Sequence, residues 1–245
     1  MKMIEMERLQ ARMGELASED ICLAFSGGVD SSLLLKMAVD AASETGKRVY
    51  AVTYDSRLHP SCDLEIARRV ALELGGIHQV IEVDELEQEE IRLNPVNRCY
   101  LCKRHLFSTL KGLALKKGVV QILDGTNEDD MHVYRPGIRA LKELGIISPL
   151  AELHITKDSV KRMAVEYGIS VALRPSTPCM ATRLPYHTRI DYDVLDRIAR
   201  GEEYLKGMIA GNVRLRLHGE VARLEVDQGL FSSLLEIREE VTEVL

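Results

Sequence analysis

The chain of 245 residues contains no run of about 18 apolar residues, so no transmembrane helix is expected. It has no excess of basic residues. Lys and Arg number 32 against 38 Asp and Glu, a net charge of -6, which argues against a protein that coats nucleic acid while leaving room for a local basic groove. The opening MKMIEMERLQARMGEL mixes charged and apolar residues at helical spacing and lacks the continuous apolar core of a secretory signal, so the expected location is cytoplasmic. Cysteine is scarce, with five residues, and in a reducing compartment these are not expected to form a disulfide framework. Internal repeats and low-complexity tracts are absent. What is present is an ordinary globular balance, 46% hydrophobic and 29% charged. The length suits one large domain or a domain with a small appendage, enough to bury a core without covalent staples.

Short apolar runs alternate with longer amphipathic stretches. Ile21–Phe25, Val49–Tyr54, His78–Val83 and Val119–Leu123 read as buried strands. Ser31–Ala42, Leu64–Leu74 and Arg104–Lys117 read as the helices between them, the last two ending at glycines. This alternation predicts an α/β fold with a parallel sheet and helices on both faces, in which ligands bind at the carboxyl ends of the strands. From Arg174 to Arg189 the chain holds three prolines and no clear period, which predicts a long functional loop or a domain junction. Beyond it a helix over Asp193–Lys206, a hairpin of Val213–Leu217 and Ala222–Val226, and a last helix are expected. The predicted division is 1–174 for a nucleotide-binding domain and 175–245 for a small C-terminal α+β region.

The densest signal follows the first strand: Ser26-Gly27-Gly28-Val29-Asp30-Ser31-Ser32. Two glycines let backbone amides approach a phosphate, and the helix that begins here adds unpaired N–H groups and partial positive charge. Ser26, Ser31 and Ser32 supply hydroxyls. Asp30 is out of place in a purely anion-binding cradle and suits Mg²⁺, which bridges phosphates. The Gly-Lys-Ser/Thr ending of a Walker A loop is missing, which argues against chemistry at the γ-phosphate. A plain Gly-Gly turn with a serine cap is the structural alternative.

This string resembles the PP-loop of the N-type ATP pyrophosphatases, which activate a carboxylate or carbonyl by adenylylation and release pyrophosphate. Further strings follow in order: Asn94-Pro95-Val96-Asn97-Arg98-Cys99-Tyr100-Leu101-Cys102-Lys103, Asp124-Gly125-Thr126-Asn127-Glu128-Asp129-Asp130, Tyr134-Arg135-Pro136-Gly137, Ser148-Pro149-Leu150-Ala151-Glu152, Pro175 to Tyr186, Arg214-Leu215-Arg216 and Ala222 to Val226. Together they resemble the ATP-dependent sulfur transferases of the LarE family, over about Leu23 to Val226. Two departures stand out: the chain stops at Leu245 where family members continue into a Gly/Ser-rich tail, and His187 follows Pro185-Tyr186 where a glycine is usual.

The resemblance implies a PP-loop fold, ATP and Mg²⁺ as cofactors, and a small phosphorylated substrate, pyridinium-3,5-biscarboxylic acid mononucleotide. ATP would adenylylate a ring carboxylate and sulfur would replace an oxygen, giving the thiocarboxylates of a nickel-pincer nucleotide used by lactate racemase. It also implies a homo-oligomer. In the sacrificial version of the reaction one cysteine gives up its sulfur and becomes dehydroalanine; by position this is Cys179. The chemistry agrees, because an adenylylated carboxylate has a good leaving group and a thiolate is its natural attacker. Arg174 and Arg183 flank Cys179 in sequence, and their charges would favour the thiolate. A packed loop cysteine is the alternative.

Cys99 and Cys102 form a C-x-x-C pair, which can hold a metal or two irons of a cluster, with two unrelated cysteines near a helix start as the alternative. Zinc would need two further ligands and no second C-x-x-C exists; a thioredoxin-like pair lacks its strand-to-helix context. Cys99, Cys102 and Cys179 together suit a 4Fe-4S cluster with one open iron that receives sulfide from a separate source, and this is the reading favoured here. Cys22 reads as inert core, and Cys62 receives no role. Asp124, Thr126, Asn127 and Asp129 lie where the adenylate or its magnesium is expected, with a capped Asp-Gly turn as the alternative. Arg214 and Arg216 alternate on a strand and so share one face, which suits the substrate phosphate, with a solvated strand face as the alternative. Glu202 and Glu225 match family positions linked to metal or substrate binding. The rivals are a tRNA 2-thiolation enzyme, an ammonia-using synthetase and a nucleotide sensor. The first is disfavoured by the missing zinc ribbons and basic surface, the second by the C-x-x-C pair, and the third by Arg183 beside Cys179.

Overall fold

Side-chain alternation along one short strand organises most of the chain. In the computed structural model, which describes residues 2–209 and 211–244, Ile21 and Leu23 face one hydrophobic cluster and Cys22 the other. The chain forms two compact units. The first takes the stretches up to Ser56, Ser61–Asp84 and Cys99–Ser176; the second takes Arg57–Pro60, Glu85–Arg98 and the chain from Thr177. The grouping is thus discontinuous in sequence, whereas the expected division falls at a single point.

In chain order the elements are α1 (Lys2–Leu16), β1 (Ile21–Ala24), α2 (Val29–Thr45), β2 (Val49–Asp55), α3 (Ser61–Glu73), β3 (Ile77–Glu82), α4 (Glu89–Arg92), α5 (Arg98–Lys116), β4 (Gln121–Leu123), α6 (Glu128–Met131), α7 (Gly137–Leu144), α8 (Pro149–Glu152), α9 (Lys157–Glu166), α10 (Tyr192–Met208), β5 (Val213–His218), β6 (Val221–Val226), α11 (Phe231–Glu236) and α12 (Arg238–Val244). In the first unit a four-stranded sheet runs in the order β3-β2-β1-β4 with every pairing parallel. β1 therefore has β2 on one side and β4 on the other, and the strand order reverses beside it. That switch point leaves a crevice at the carboxyl ends of β1 and β4. One face of the sheet packs on α1, α2, α3 and α9 through Leu9, Leu34, Ala67 and Val160 among others. The other packs on α5 and α7 through Phe107, Leu110 and Leu141.

The α/β expectation with its parallel sheet is met, and the differences are local. α5 begins at Arg98, not Arg104, so the C-x-x-C pair sits on a helix; the Arg98 N–H already closes on the Pro95 carbonyl at 2.9 Å. β4 is shorter than expected because only Gln121–Leu123 pair with β1. The expected last helix is broken into a 3₁₀ turn at Gln228–Leu230 and two short helices, α11 and α12.

In the second unit β5 and β6 form an antiparallel hairpin that packs with α10, α12 and the segment between them around Leu205, Ile209, Val213 and Val241. α10 is capped by Asp191, whose carboxylate accepts from Asp193 N at 2.7 Å. Inside the expected irregular loop a 3₁₀ turn covers Met180–Arg183. Arg183 leaves that turn inward. Its Nε and Nη2 donate to Glu202 of α10 at 2.6 and 3.0 Å, with both side chains almost wholly buried. The Glu202 carboxylate also accepts from Leu215 N of β5 at 2.9 Å. One carboxylate thus ties the 3₁₀ turn, α10 and the hairpin together. His187 adopts a left-handed φ of 67°, the conformation for which a glycine is the ordinary choice, and its N–H is held by the Asn94 carbonyl at 2.8 Å.

Breaking one side of this buried pair leaves an uncompensated charge. Arg183→Met is expected to lower stability by about 3–5 kcal/mol, and the double change Arg183→Met with Glu202→Leu to recover most of that loss. Urea unfolding of the three proteins measures both.

Candidate active site

The loop after β1 takes its shape from Gly27. This residue has φ +68°, and a Cβ there would stand 2.8 Å from Cα and 3.0 Å from N of Ala67 on α3. Neither the conformation nor the contact admits another residue without movement of backbone. Gly28 is the N-cap of α2, and no side chain caps the helix start. The first-turn amides are therefore left for a ligand, at the positive end of the helix dipole. The loop is braced from within: Ser31 Oγ accepts from Ser26 N at 3.4 Å and donates to the Gly28 carbonyl at 3.1 Å. Gly125, after β4, lies so close that a Cβ would meet Ser31 N at 3.1 Å and Asp30 Cβ at 3.2 Å. Both loops line one cleft of about 500 Å³, with Asp30, Cys99, Lys103, Asp124 and Arg135 on its walls.

Two carboxylates in this cleft are each met by donors from distant parts of the chain. Asp30 accepts from Asn127 Nδ2 at 3.0 Å and forms an ion pair with Lys157. Asp124 accepts from Thr126 Oγ1 and Ser148 Oγ, each at 2.5 Å, and faces Lys103 Nζ at 3.7 Å. Asn127 serves twice, since its side chain also caps α6 in a reciprocal capping box with Asp130. Asp129 accepts from Lys157 N at 2.6 Å, anchoring the start of α9.

Several sequence-based expectations change here. Ser32 is fully buried on the inner side of α2, where its Oγ has no hydrogen-bond partner, and it does not line the cleft. One residue along a helix turns the side chain by about 100°, which separates it from Ser31. Val29 points into the core and does not line the cleft. The proton of Ser31 goes to Gly28. Cys99 lines the cleft, but Cys102 packs against the hydrophobic cluster behind it. Among the described residues no group of three or more His, Cys, Asp or Glu is arranged to hold a metal ion. Burial pushes the Cys22 thiol up to about 11, in keeping with inert core.

Cys179 lies in the second unit, as the N-cap of the 3₁₀ turn, where its carbonyl accepts from Thr182 Oγ1 at 2.7 Å. The guanidiniums expected to favour its thiolate both have carboxylate partners, Arg183 on Glu202 and Arg174 on Asp63. Glu202 is accordingly filled with protein donors. Arg216 pairs with Glu225 at 2.9 Å and reaches the Thr182 carbonyl, and Arg214 stands opposite Glu225 in the hairpin register. Burial alone would raise the Glu225 pKa, but Arg216, Arg223 and Arg214 outweigh it and hold the group below the usual carboxylate range. Arg98, Arg216, His218, Arg223 and Glu225 line a groove of about 410 Å³ in this unit. Lys103, Ser148 and Lys157 were not singled out in the sequence. Lys103 closes the C-x-x-C string and Ser148 opens the string that runs to Glu152, but nothing local marks Lys157, which lies 127 positions from Asp30.

A glycine-built loop on a helix N-terminus, at the switch point of a parallel sheet, with carboxylates opposite, defines an ATP-using enzyme of the PP-loop class. The asparagine synthase family model matches residues 9–100. The chain is 38% identical over 222 residues to an uncharacterized protein of Synechocystis, covering 91% of this chain and 81% of the relative. It is 32% identical over 225 residues to the pyridinium-3,5-bisthiocarboxylic acid mononucleotide synthase of Lactiplantibacillus plantarum, covering 92% and 81%. An uncharacterized protein of Methanocaldococcus jannaschii is 31% identical over 224 residues, covering 91% and 84%. The chain belongs to the LarE family of ATP-dependent sulfurtransferases. Among the described residues no helix is long and apolar enough to cross a membrane.

Gly27→Ala is expected to weaken Mg-ATP binding at least about tenfold, since the loop must shift to admit the methyl group in a left-handed conformation. Isothermal titration calorimetry measures this. Cys22 is expected to resist iodoacetamide at pH 7.5 in the folded protein and to react once it is unfolded, as read by peptide mass spectrometry.

Proposed function

We propose that the protein converts ring carboxylates of pyridinium-3,5-biscarboxylic acid mononucleotide to thiocarboxylates in the biosynthesis of a nickel-pincer nucleotide. The observation that carries this reading is the match to the Lactiplantibacillus synthase along 92% of the chain, supported by a first-unit cleft suited to ATP phosphates. A carboxylate oxygen of the substrate attacks the α-phosphorus of ATP, the bond to the β-phosphate oxygen breaks, and pyrophosphate leaves. The free amides at the start of α2 receive phosphate oxygens. Lys103 and Lys157 add positive charge at the cleft wall. Asp30 and Asp124 are the residues that would hold Mg²⁺, which when bound neutralises phosphate charge. Arg214 and Arg216 are assigned to the substrate phosphate. Arg216 then exchanges or shares its bond to Glu225.

Sulfur then attacks the acyl-adenylate carbon and AMP leaves. We assign Cys99, Cys102 and Cys179 to a 4Fe-4S cluster, on the strength of two thiols one helical turn apart on α5 and the position of Cys179. Such a cluster, when bound, supplies an open iron for sulfide. The competing reading is that Cys179 itself is the donor: its sulfur bonds to the acyl carbon, then the Cβ–S bond breaks as the Cα proton is lost, leaving dehydroalanine.

Incubation with Mg-ATP and the dicarboxylate mononucleotide is expected to give AMP and pyrophosphate; ADP and phosphate would overturn the assignment. Under the cluster reading, anaerobically prepared protein contains iron and sulfide, keeps its mass and turns over when sulfide is supplied, and Cys99→Ala abolishes turnover. A loss of about 34 Da at position 179, from C–S cleavage at an activated thiol, with Cys99→Ala fully active, would refute the cluster and establish Cys179 as a single-use donor. Thiolation of tRNA at physiological salt would overturn both.

A further inference from the structure

The peptide that joins β1 to the phosphate loop is held by a side chain of β2, which is met in turn by a side chain of β3. Phe25 N donates to the Val52 carbonyl at 2.8 Å, as a strand residue would. The Phe25 carbonyl instead accepts from a side chain, Thr53 Oγ1 of β2, at 2.8 Å. Thr53 is buried. Its oxygen also lies 2.9 Å from Nε2 of His78 on β3. A hydroxyl has one proton, and here that proton goes to Phe25, so the second contact must be carried by a proton on Nε2. His78 is thereby set as the Nε2–H tautomer. Its ring also meets the Phe25 ring edge-on, with centroids 6.5 Å apart. Burial first, and the charge of Arg68 second, hold its pKa below the ordinary value.

The Phe25 carbonyl and the Ser26 N–H belong to one planar peptide group, so orienting the first orients the second. Ser26 N–H donates to Ser31 Oγ at 3.4 Å, and Ser31 donates in turn to the Gly28 carbonyl at 3.1 Å. The donors run in one direction from His78 through Thr53, across the Phe25–Ser26 peptide, and through Ser31 to Gly28.

We propose that Thr53 and His78 are positioning residues for ATP, which set the phosphate loop through the Phe25–Ser26 peptide without touching the nucleotide. This rests on the assignment of the Ser26–Ser32 loop to the ATP phosphates. Thr53→Val keeps the shape and removes the donor; Thr53→Ser keeps the donor. Calorimetric titration of the intact protein with Mg-ATP is expected to show about tenfold weaker binding for Thr53→Val, the loss of one buried hydrogen bond, and binding within about twofold of the original for Thr53→Ser. KM for ATP is expected to rise more than kcat falls. The ¹⁵N spectrum of His78 is expected to show a protonated Nε2 and a bare Nδ1, a pattern lost in Thr53→Val. Unchanged ATP affinity in Thr53→Val, or a proton on Nδ1 in the original protein, would overturn the proposal. If Thr53→Val does not fold, His78→Phe carries the test: weaker ATP binding supports the relay and unchanged binding overturns it. Gly27→Ala separates the two levels. If it binds ATP normally, the loop assignment fails; if it loses ATP while Thr53→Val retains it, only the relay fails.

Discussion

The approach of Gly27 to Ala67 governs the nucleotide end of the molecule. With Cβ of a substituted residue only 2.8 Å from the α3 backbone, the loop after β1 can lie flat against α3 only as glycine. Lying there, it brings α2 to the sheet with its first turn uncapped and its amides unclaimed. The reversal of strand order beside β1 then supplies the facing wall, because β4 delivers the Asp124–Asn127 loop to the same crevice. A backbone contact and a sheet order together leave the start of α2 without a capping side chain at the edge of the cleft.

The charges in that cleft compensate one another through pairs far apart in sequence. Asp30 with Lys157 and Asp124 with Lys103 each place a carboxylate beside an ammonium. Substrate phosphates and a divalent ion would meet groups already oriented and already partly neutralised, so little reorganisation is needed when they bind. The second unit applies the same economy differently. There Arg183 and Glu202 are buried and fully engaged, and their role in the fold is to fasten the turn carrying Cys179 to α10 and the hairpin. Arg183, close to Cys179 in sequence, thus acts through the frame that holds the turn.

The strand expected over Ile21–Phe25 and found at Ile21–Ala24, the Gly27-Gly28 pair and the acidic Asp124 loop were readable from the chain because each is a local signal: a short continuous apolar run, turn chemistry, and a strand followed by a helix. The extent of α5 was less readable. Asn94-Pro95 marks its start, but the apolar period becomes evident only further along. The fate of Arg174, Arg183, Glu202 and Glu225 was not readable at all. Proximity of an arginine to a cysteine along the chain says nothing about which carboxylate the guanidinium will find in space, and burial makes that choice binding.

Local patterning determined the α/β class and the nucleotide loop, and the order of separate motifs along the chain determined membership of a sulfurtransferase family, since each motif is itself built of residues close together in sequence. Tertiary structure alone decided that Ser32 is buried while Ser31 braces the loop, that Lys157 meets Asp30, and that Thr53 and His78 stand behind the Phe25–Ser26 peptide. Those outcomes depend on the rotation of a helix against a sheet and on strands paired across tens of residues, distances over which the linear pattern carries no directional information.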